Sequence, residues 1–150
     1  MDEPNLPASA NHLKEHLVDL RNDRRQRQAD QRINPVPRKL LTAAERASVL
    51  KKTDRRCHIC GGDVACRWEA DHVLAHSSGG LDSAENYLPA HTLCNNYKWD
   101  YDPEEFQWVL KIGVWARRQM LGGTFLGTDM LEPFYKYEIQ RHKRRSSETQ

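Results

Sequence analysis

The stretch EADHVLAHSSGGLDSAENYLPAHTLCNNYKWD, Glu69 to Asp100, decides how this chain is read. It holds an Asp-His pair, a Gly-Gly turn, an isolated Asn86, and then His91, Cys94 and Asn95 within a few positions of one another. Upstream, CHIC sets Cys57 three residues before Cys60. Cys57 and Cys60 form a C-x2-C pair, His91 and Cys94 form an H-x2-C pair, and thirty residues separate the two. Pairs at this spacing can each grip one side of a tetrahedral metal, and thiolate with imidazole suits zinc. Taken singly, either pair could be small buried apolar side chains. Two matched pairs around a Gly-rich segment point to Zn²⁺ held by Cys57, Cys60, His91 and Cys94. With all four positions filled by protein, such a zinc is structural and activates no water. Cys66 is left over: a core thiol, or the substitute fourth ligand if His91 is not one.

Working outward, the flanks are basic. Lys14 to Arg56 holds 13 Lys/Arg against 6 Asp/Glu, and Phe134 to Gln150 holds 5 against 2. Cys57 to Glu105 is the reverse, 2 against 9. An acidic centre attracts a cation and basic arms attract phosphates, which is what a metal-dependent enzyme acting on a polyanion needs. Solvated helix faces would give the same pattern. With 38% hydrophobic and 29% charged residues, no segment approaches the roughly 20 apolar residues of a membrane span. MDEPNLPASANH lacks a basic start followed by an apolar run, so no secretory signal is expected. The expectation is a cytoplasmic protein in a reducing compartment, with cysteines for metal rather than disulfides.

Element signals fill in the rest. Ser9 can cap a basic helical arm bearing Leu13, Leu17 and Leu20, and Asn34 to Pro37 (NPVP) forbids helix. Thr42 with Glu45 is a capping box for a helix to about Lys52. CHICGGDVACRWEADHV reads as two short strands around a Gly-Gly turn, and Gly79-Gly80 opens a loop. A helix near Cys94 carries Asn95, Lys98 and Trp99. Asp102-Pro103 starts another, with Phe106, Val109, Leu110 and Val114 on its apolar side, ended by Gly122-Gly123. Trp108 and Trp115 lie at helical spacing and read as core. A last helix is expected from about Asp129 to Arg145, with Phe134, Tyr137 and Ile139 buried.

Asp71-His72, Asn86 and Asn95 nested inside the Cys-pair clamp resemble the HNH endonucleases, the ββα-metal or His-Me finger nucleases. The resemblance covers about Cys57 to Lys98 and rests on DH, SSGG, ENYLP and CNNYK. His91 stands where most clamped members have Cys, Ala75 replaces a frequent proline, and the third motif letter is Asn95 rather than His. The resemblance implies an α+β fold: a small ββα-metal finger with a zinc clamp, flanked by N- and C-terminal helices. The divisions expected are 1–37 (basic arm and linker), 38–122 (nuclease domain) and 123–150 (C-terminal helix with basic tail).

The chemistry of the residues agrees with that resemblance. Asp71 and Asn95 offer oxygen ligands suited to a catalytic Mg²⁺ or Mn²⁺. His72 can accept a proton near neutrality as general base. By resemblance, Asn86 braces the loop and orients His72. Lys98, one turn after Asn95, can lean toward phosphate, and His76 could touch phosphate or metal, or simply be solvated. Neighbours on a strand face opposite ways, so irregular backbone is expected at Asp71-His72. The expected activity is metal-dependent hydrolysis of DNA, with RNA left open because nothing reads a 2′-hydroxyl. A double-strand break would need a homodimer, a larger complex or two separate events. The alternatives are a non-catalytic zinc-bound nucleic-acid-binding module and a zinc-stabilised protein-interaction domain.

Overall fold

The computed structural model describes residues 6–64 and 67–147. The order of elements is α1 (Ala10–Ile33), α2 (Ala43–Lys51), β1 (Glu69–His72), β2 (Tyr87–Ala90), α3 (Thr92–Lys98), α4 (Pro103–Leu121) and α5 (Phe125–Ser147). Single 3-10 turns at His76–Ser78 and Ala84–Asn86 lie between the strands. The class is α+β: among the described residues, five helices and one two-stranded antiparallel sheet, with β1 and β2 leading into α3. Cys66 lies outside the described residues.

Local signals place the helix starts. Ser9 accepts a hydrogen bond from the His12 backbone N–H and opens α1. This helix runs unbroken for 24 residues, well past the point where its apolar periodicity fades. Thr42 and Glu45 form a full capping box at α2, each side chain bonded to the other's backbone N–H. At α4 the backbone carbonyl of Asp102 accepts from Phe106 N–H, but the carboxylate turns away to Arg27.

The sheet differs from the expected hairpin. Cys57 to Asp63 forms a tight turn closed by one isolated bridge, Arg56 to Asp63, with Gly61 at φ +73°. The partner of β1 is β2, in the register Glu69–Ala90, Ala70–Pro89, Asp71–Leu88 and His72–Tyr87. The backbone stays regular through Asp71 and His72, and the strand stops at His72. The expected irregularity lies one step later, where Val73 N–H bonds the Asn86 carbonyl and the chain bends.

The chain forms two compact units, residues 1–107 and 108–150. The first has a small core of Cys57, Val64 and Ala90, with Leu50, Ile59, Trp68 and Cys94 packed against it. Its apolar centre is therefore built on the cysteine pairs themselves.

Helix α1 is not a free-standing arm. It packs on the 3-10 turn His76–Ser78, and Arg24 is buried at 4% exposure. The Arg24 guanidinium grips Glu105 through Nε–Oε2 at 2.7 Å and Nη2–Oε1 at 3.3 Å, and lies 4.8 Å over the Trp99 ring. Arg27 pairs with Asp102. Arg24→Ala would leave Glu105 charged, buried and unpaired, which costs about 3–5 kcal/mol. The expected result is a lower urea midpoint, with Arg24→Lys falling between; a wild-type midpoint in Arg24→Ala would show that the pair holds nothing.

The second unit is short of core. Trp108 is buried, but Trp115, Val109, Leu110 and Val114 on α4 are exposed. Helix α5 starts at Phe125, earlier than expected, and continues through Pro133. Phe134 and Tyr137 are each more than half exposed and Ile139 more than a third, so none of the three is the buried residue the helical pattern suggested. Two helices in so short a unit have too little facing surface to cover both apolar stripes.

Candidate functional site

The clearest site is the cluster of Cys57, Cys60, His91 and Cys94. Their ligand atoms all lie within 4.8 Å of one another. The first pair comes from the tight turn after Arg56; the second spans the N-cap and third residue of α3. The His91 imidazole is oriented at both ends. Its Nε2 sits 3.0 Å from the Asp63 carbonyl, and its Nδ1 lies 3.3 Å from Cys60 Sγ and 3.9 Å from Cys94 Sγ. An Nε2–H donated to a carbonyl leaves the Nδ1 lone pair for a metal.

The donor set fits a tetrahedral ion. Zinc–sulfur bonds of ~2.3 Å place sulfurs ~3.8 Å apart, within an ångström of the observed spread. A cation there would let all three sulfurs ionise together. Burial pushes Cys57 up, but backbone N–H groups of Cys60, His91 and Ile59 outweigh it and bring it down to about 6. Partial burial and the neighbouring Cys60 and Cys57 push Cys94 up to about 12. Three thiolates cannot share this space without a positive charge between them. The Cys₃His group can therefore hold a metal ion such as zinc.

Beside it lies a polar pocket of about 190 Å³, bordered by Asp71, His72, His76, Ser77, Asn95 and Lys98, among others. Five of the residues singled out in the sequence thus meet around one cavity. Because β1 ends at His72, Asp71 and His72 both reach its wall even though they leave opposite faces of the strand. His76 Nε2 and Ser77 Oγ are buried with no hydrogen-bond partner among the described residues.

Asn86 braces the loop and makes no contact with His72 among its hydrogen bonds. Its Oδ1 accepts from Leu74 N–H at 2.9 Å, and its Nδ2 donates to the Leu74 and Leu81 carbonyls at 3.0 Å each. These bonds draw residues 79–82 back against Leu74. Gly80 permits that approach, since a Cβ there would stand 1.8 Å from the Leu74 carbonyl oxygen.

The remaining side chains are engaged inside the protein. Asn95 donates Nδ2 to Glu69 Oε2 at 2.6 Å, which leaves its Oδ1 available. Asp71 is 4% exposed: Oδ2 meets His58 Nε2 at 2.6 Å and Oδ1 accepts from Lys98 Nζ at 2.9 Å. Lys98 is 3% exposed and also bonds the His72 carbonyl, so its ammonium is turned inward rather than out toward a ligand.

Three neighbours of this cluster were not singled out in the sequence. His58, between the two clamp cysteines, links the clamp to Asp71. Ser77 adds one of the unpaired hydroxyls. Asp82, 7% exposed, receives His72, Tyr87 and the Lys39 backbone. A polar residue in a Gly-rich loop gives no sign of its partner, which is chosen by how the loop folds back. Burial lowers the His72 pKa and the Asp82 carboxylate opposes that shift; the net is below the ordinary value, which favours the neutral ring. Burial pushes Asp82 up, but hydrogen bonds from Lys39 N–H, His72 and Tyr87 hold it well below the usual carboxylate range.

No protein-family model matches this chain, and no match is found among curated proteins or solved structures. Among the described residues, no helix is long and apolar enough to cross a membrane.

Proposed function

We propose that the chain is a metal-dependent endonuclease of the HNH type, hydrolysing phosphodiester bonds of DNA. The observation that carries this reading is one pocket in which Asp71, His72, His76, Asn95 and Lys98 meet, with two buried polar atoms left unpaired. The Cys₃His cluster would hold a structural zinc. Cys94 in the clamp adjoins Asn95 in the pocket, so a metal that seats the start of α3 also sets one wall of the pocket.

Mg²⁺ or Mn²⁺ would be held by Asp71 and Asn95. The Asn95 oxygen is available, and each Asp71 oxygen accepts one hydrogen bond and keeps a lone pair. Bound there, such a cation would supply Lewis-acid stabilisation to the scissile phosphate and the leaving oxygen. The chain's own residues supply the rest. His72, neutral and half-buried, takes the proton of the attacking water. His76 and Ser77 offer unpaired donors to phosphate oxygens. Exposed cations of α1, such as Lys14, Arg21 and Arg25, would hold the duplex by counterion release.

One observation favours a second reading, a non-catalytic zinc-bound nucleic-acid-binding module: Asp71 is already neutralised by the buried Lys98 ammonium. A supercoiled-plasmid assay decides between them. Nicking with Mg²⁺ or Mn²⁺ that EDTA abolishes is the expected result. DNA retained at low salt but never cut would favour the binding module, and neither retention nor cleavage would remove both readings.

A further inference from the structure

We propose that Asp82 is the positioning residue for His72: it fixes the imidazole tautomer so that Nδ1, and not Nε2, is the proton-accepting atom. This rests on the reading of His72 as proton acceptor given above. The geometry has three parts. His72 Nε2 lies 2.7 Å from Asp82 Oδ1, and no other hydrogen bond to the ring is found among the described residues. Asp82 is itself held in place. Tyr87 donates its hydroxyl to the same oxygen at 2.7 Å, and the Lys39 backbone N–H donates to Oδ2 at 2.7 Å. The Tyr87 ring also backs the imidazole, with centroids 4.2 Å apart, so the ring has little freedom to swing off the carboxylate.

The chemistry follows from the inventory of a neutral imidazole, in which one nitrogen donates and the other accepts. An ionised carboxylate can only accept, so its partner nitrogen carries the proton. Nε2–H is therefore selected, and the lone pair sits on Nδ1. A carboxylate behind a histidine does the same work in hydrolytic triads, where it orients the ring without taking the proton itself. The loop geometry shows why an aspartate can reach this place. Gly80 passes against the Leu74 carbonyl and Asn86 ties Leu74 to Leu81, which turns Asp82 inward. Asn86 thus acts on His72 at two removes, through the loop and then through Asp82.

The test separates this assignment from the nuclease reading. Long-range ¹H–¹⁵N correlation spectra of the intact, metal-loaded protein, at a pH where His72 is neutral, report which ring nitrogen is protonated. His72 signals are identified by their loss in His72→Ala. Wild type should show Nε2–H. Asp82→Ala should lose that preference and fall ~10- to 100-fold in kcat for plasmid cleavage, with KM for DNA unchanged. Asp82→Glu should recover part of both. Should Asp82→Ala not fold, Asp82→Asn keeps the volume, and Tyr87→Phe removes one support while leaving the carboxylate and the tautomer. A wild-type ring protonated on Nδ1 overturns the assignment, and so does a folded Asp82 variant with unchanged tautomer and kcat. A wild type that cuts no DNA in any metal overturns the nuclease reading instead, while the ring nitrogens still decide what Asp82 does to His72.

Discussion

His72→Ala should lose ~10²- to 10⁴-fold in DNA cleavage, the range that follows removal of a general base, while the protein stays folded and still binds DNA. The expectation of a selective loss comes from what His72 touches. Its ring bonds Asp82 and packs on Tyr87, and no metal is assigned to it. When the ring is removed, Asp82 keeps its bonds from the Tyr87 hydroxyl and the Lys39 backbone, so no buried carboxylate is orphaned. The His72 carbonyl that receives Lys98 belongs to the backbone and remains. Single-turnover nicking, a melting curve and DNA retention on the same preparation test the three parts together. Cleavage at the wild-type rate would sink the assignment of the base. Loss of folding along with activity would show that the ring is structural.

The second large effect concerns the clamp. Cys57→Ser, or extraction of the metal with a strong chelator, should unfold the first unit rather than merely weaken it. Binding of structural zinc is worth ~10–16 kcal/mol in small domains, comparable with the whole stability of a typical domain at ~5–15 kcal/mol. This unit has little to put in its place. Cys57 is 1% exposed and belongs to the same small cluster as Val64 and Ala90. Its sulfur is one of the four ligand atoms that gather within 4.8 Å of one another. Wild-type protein should carry about one zinc per chain by elemental analysis, and the melting transition of the variant should broaden or vanish. A metal-free chain that melts like wild type would falsify the clamp.

The clamp was legible in the sequence because its logic is local. Cys57-Cys60 and His91-Cys94 are each three positions apart, so a turn or the first turn of a helix aims both side chains of a pair the same way. Only the meeting of the two pairs is long-range, and the ligand chemistry of thiols and imidazole anticipates it. Helix starts were legible for the same reason, since Ser9 and the Thr42–Glu45 box act within three residues. Asp71, His72, His76, Asn95 and Lys98 were each singled out in the sequence, and the structure brings all five to the wall of one pocket.

What the sequence alone determined is thus the set of short-range devices: caps, turns and two ligand pairs. Only tertiary structure decided the rest. Strand β2 is four residues long and contains Pro89, so no period announces it, and its pairing with β1 closes across the whole Gly-rich loop. Asp82 finds His72, His58 finds Asp71 and Arg24 finds Glu105 by position in space, across 10, 13 and 81 residues of chain. The apolar residues of α4 and α5 repeat as a buried face would, yet remain largely exposed. A charge or an apolar stripe states only that it needs a partner; which partner it gets is set by the fold that brings distant segments together.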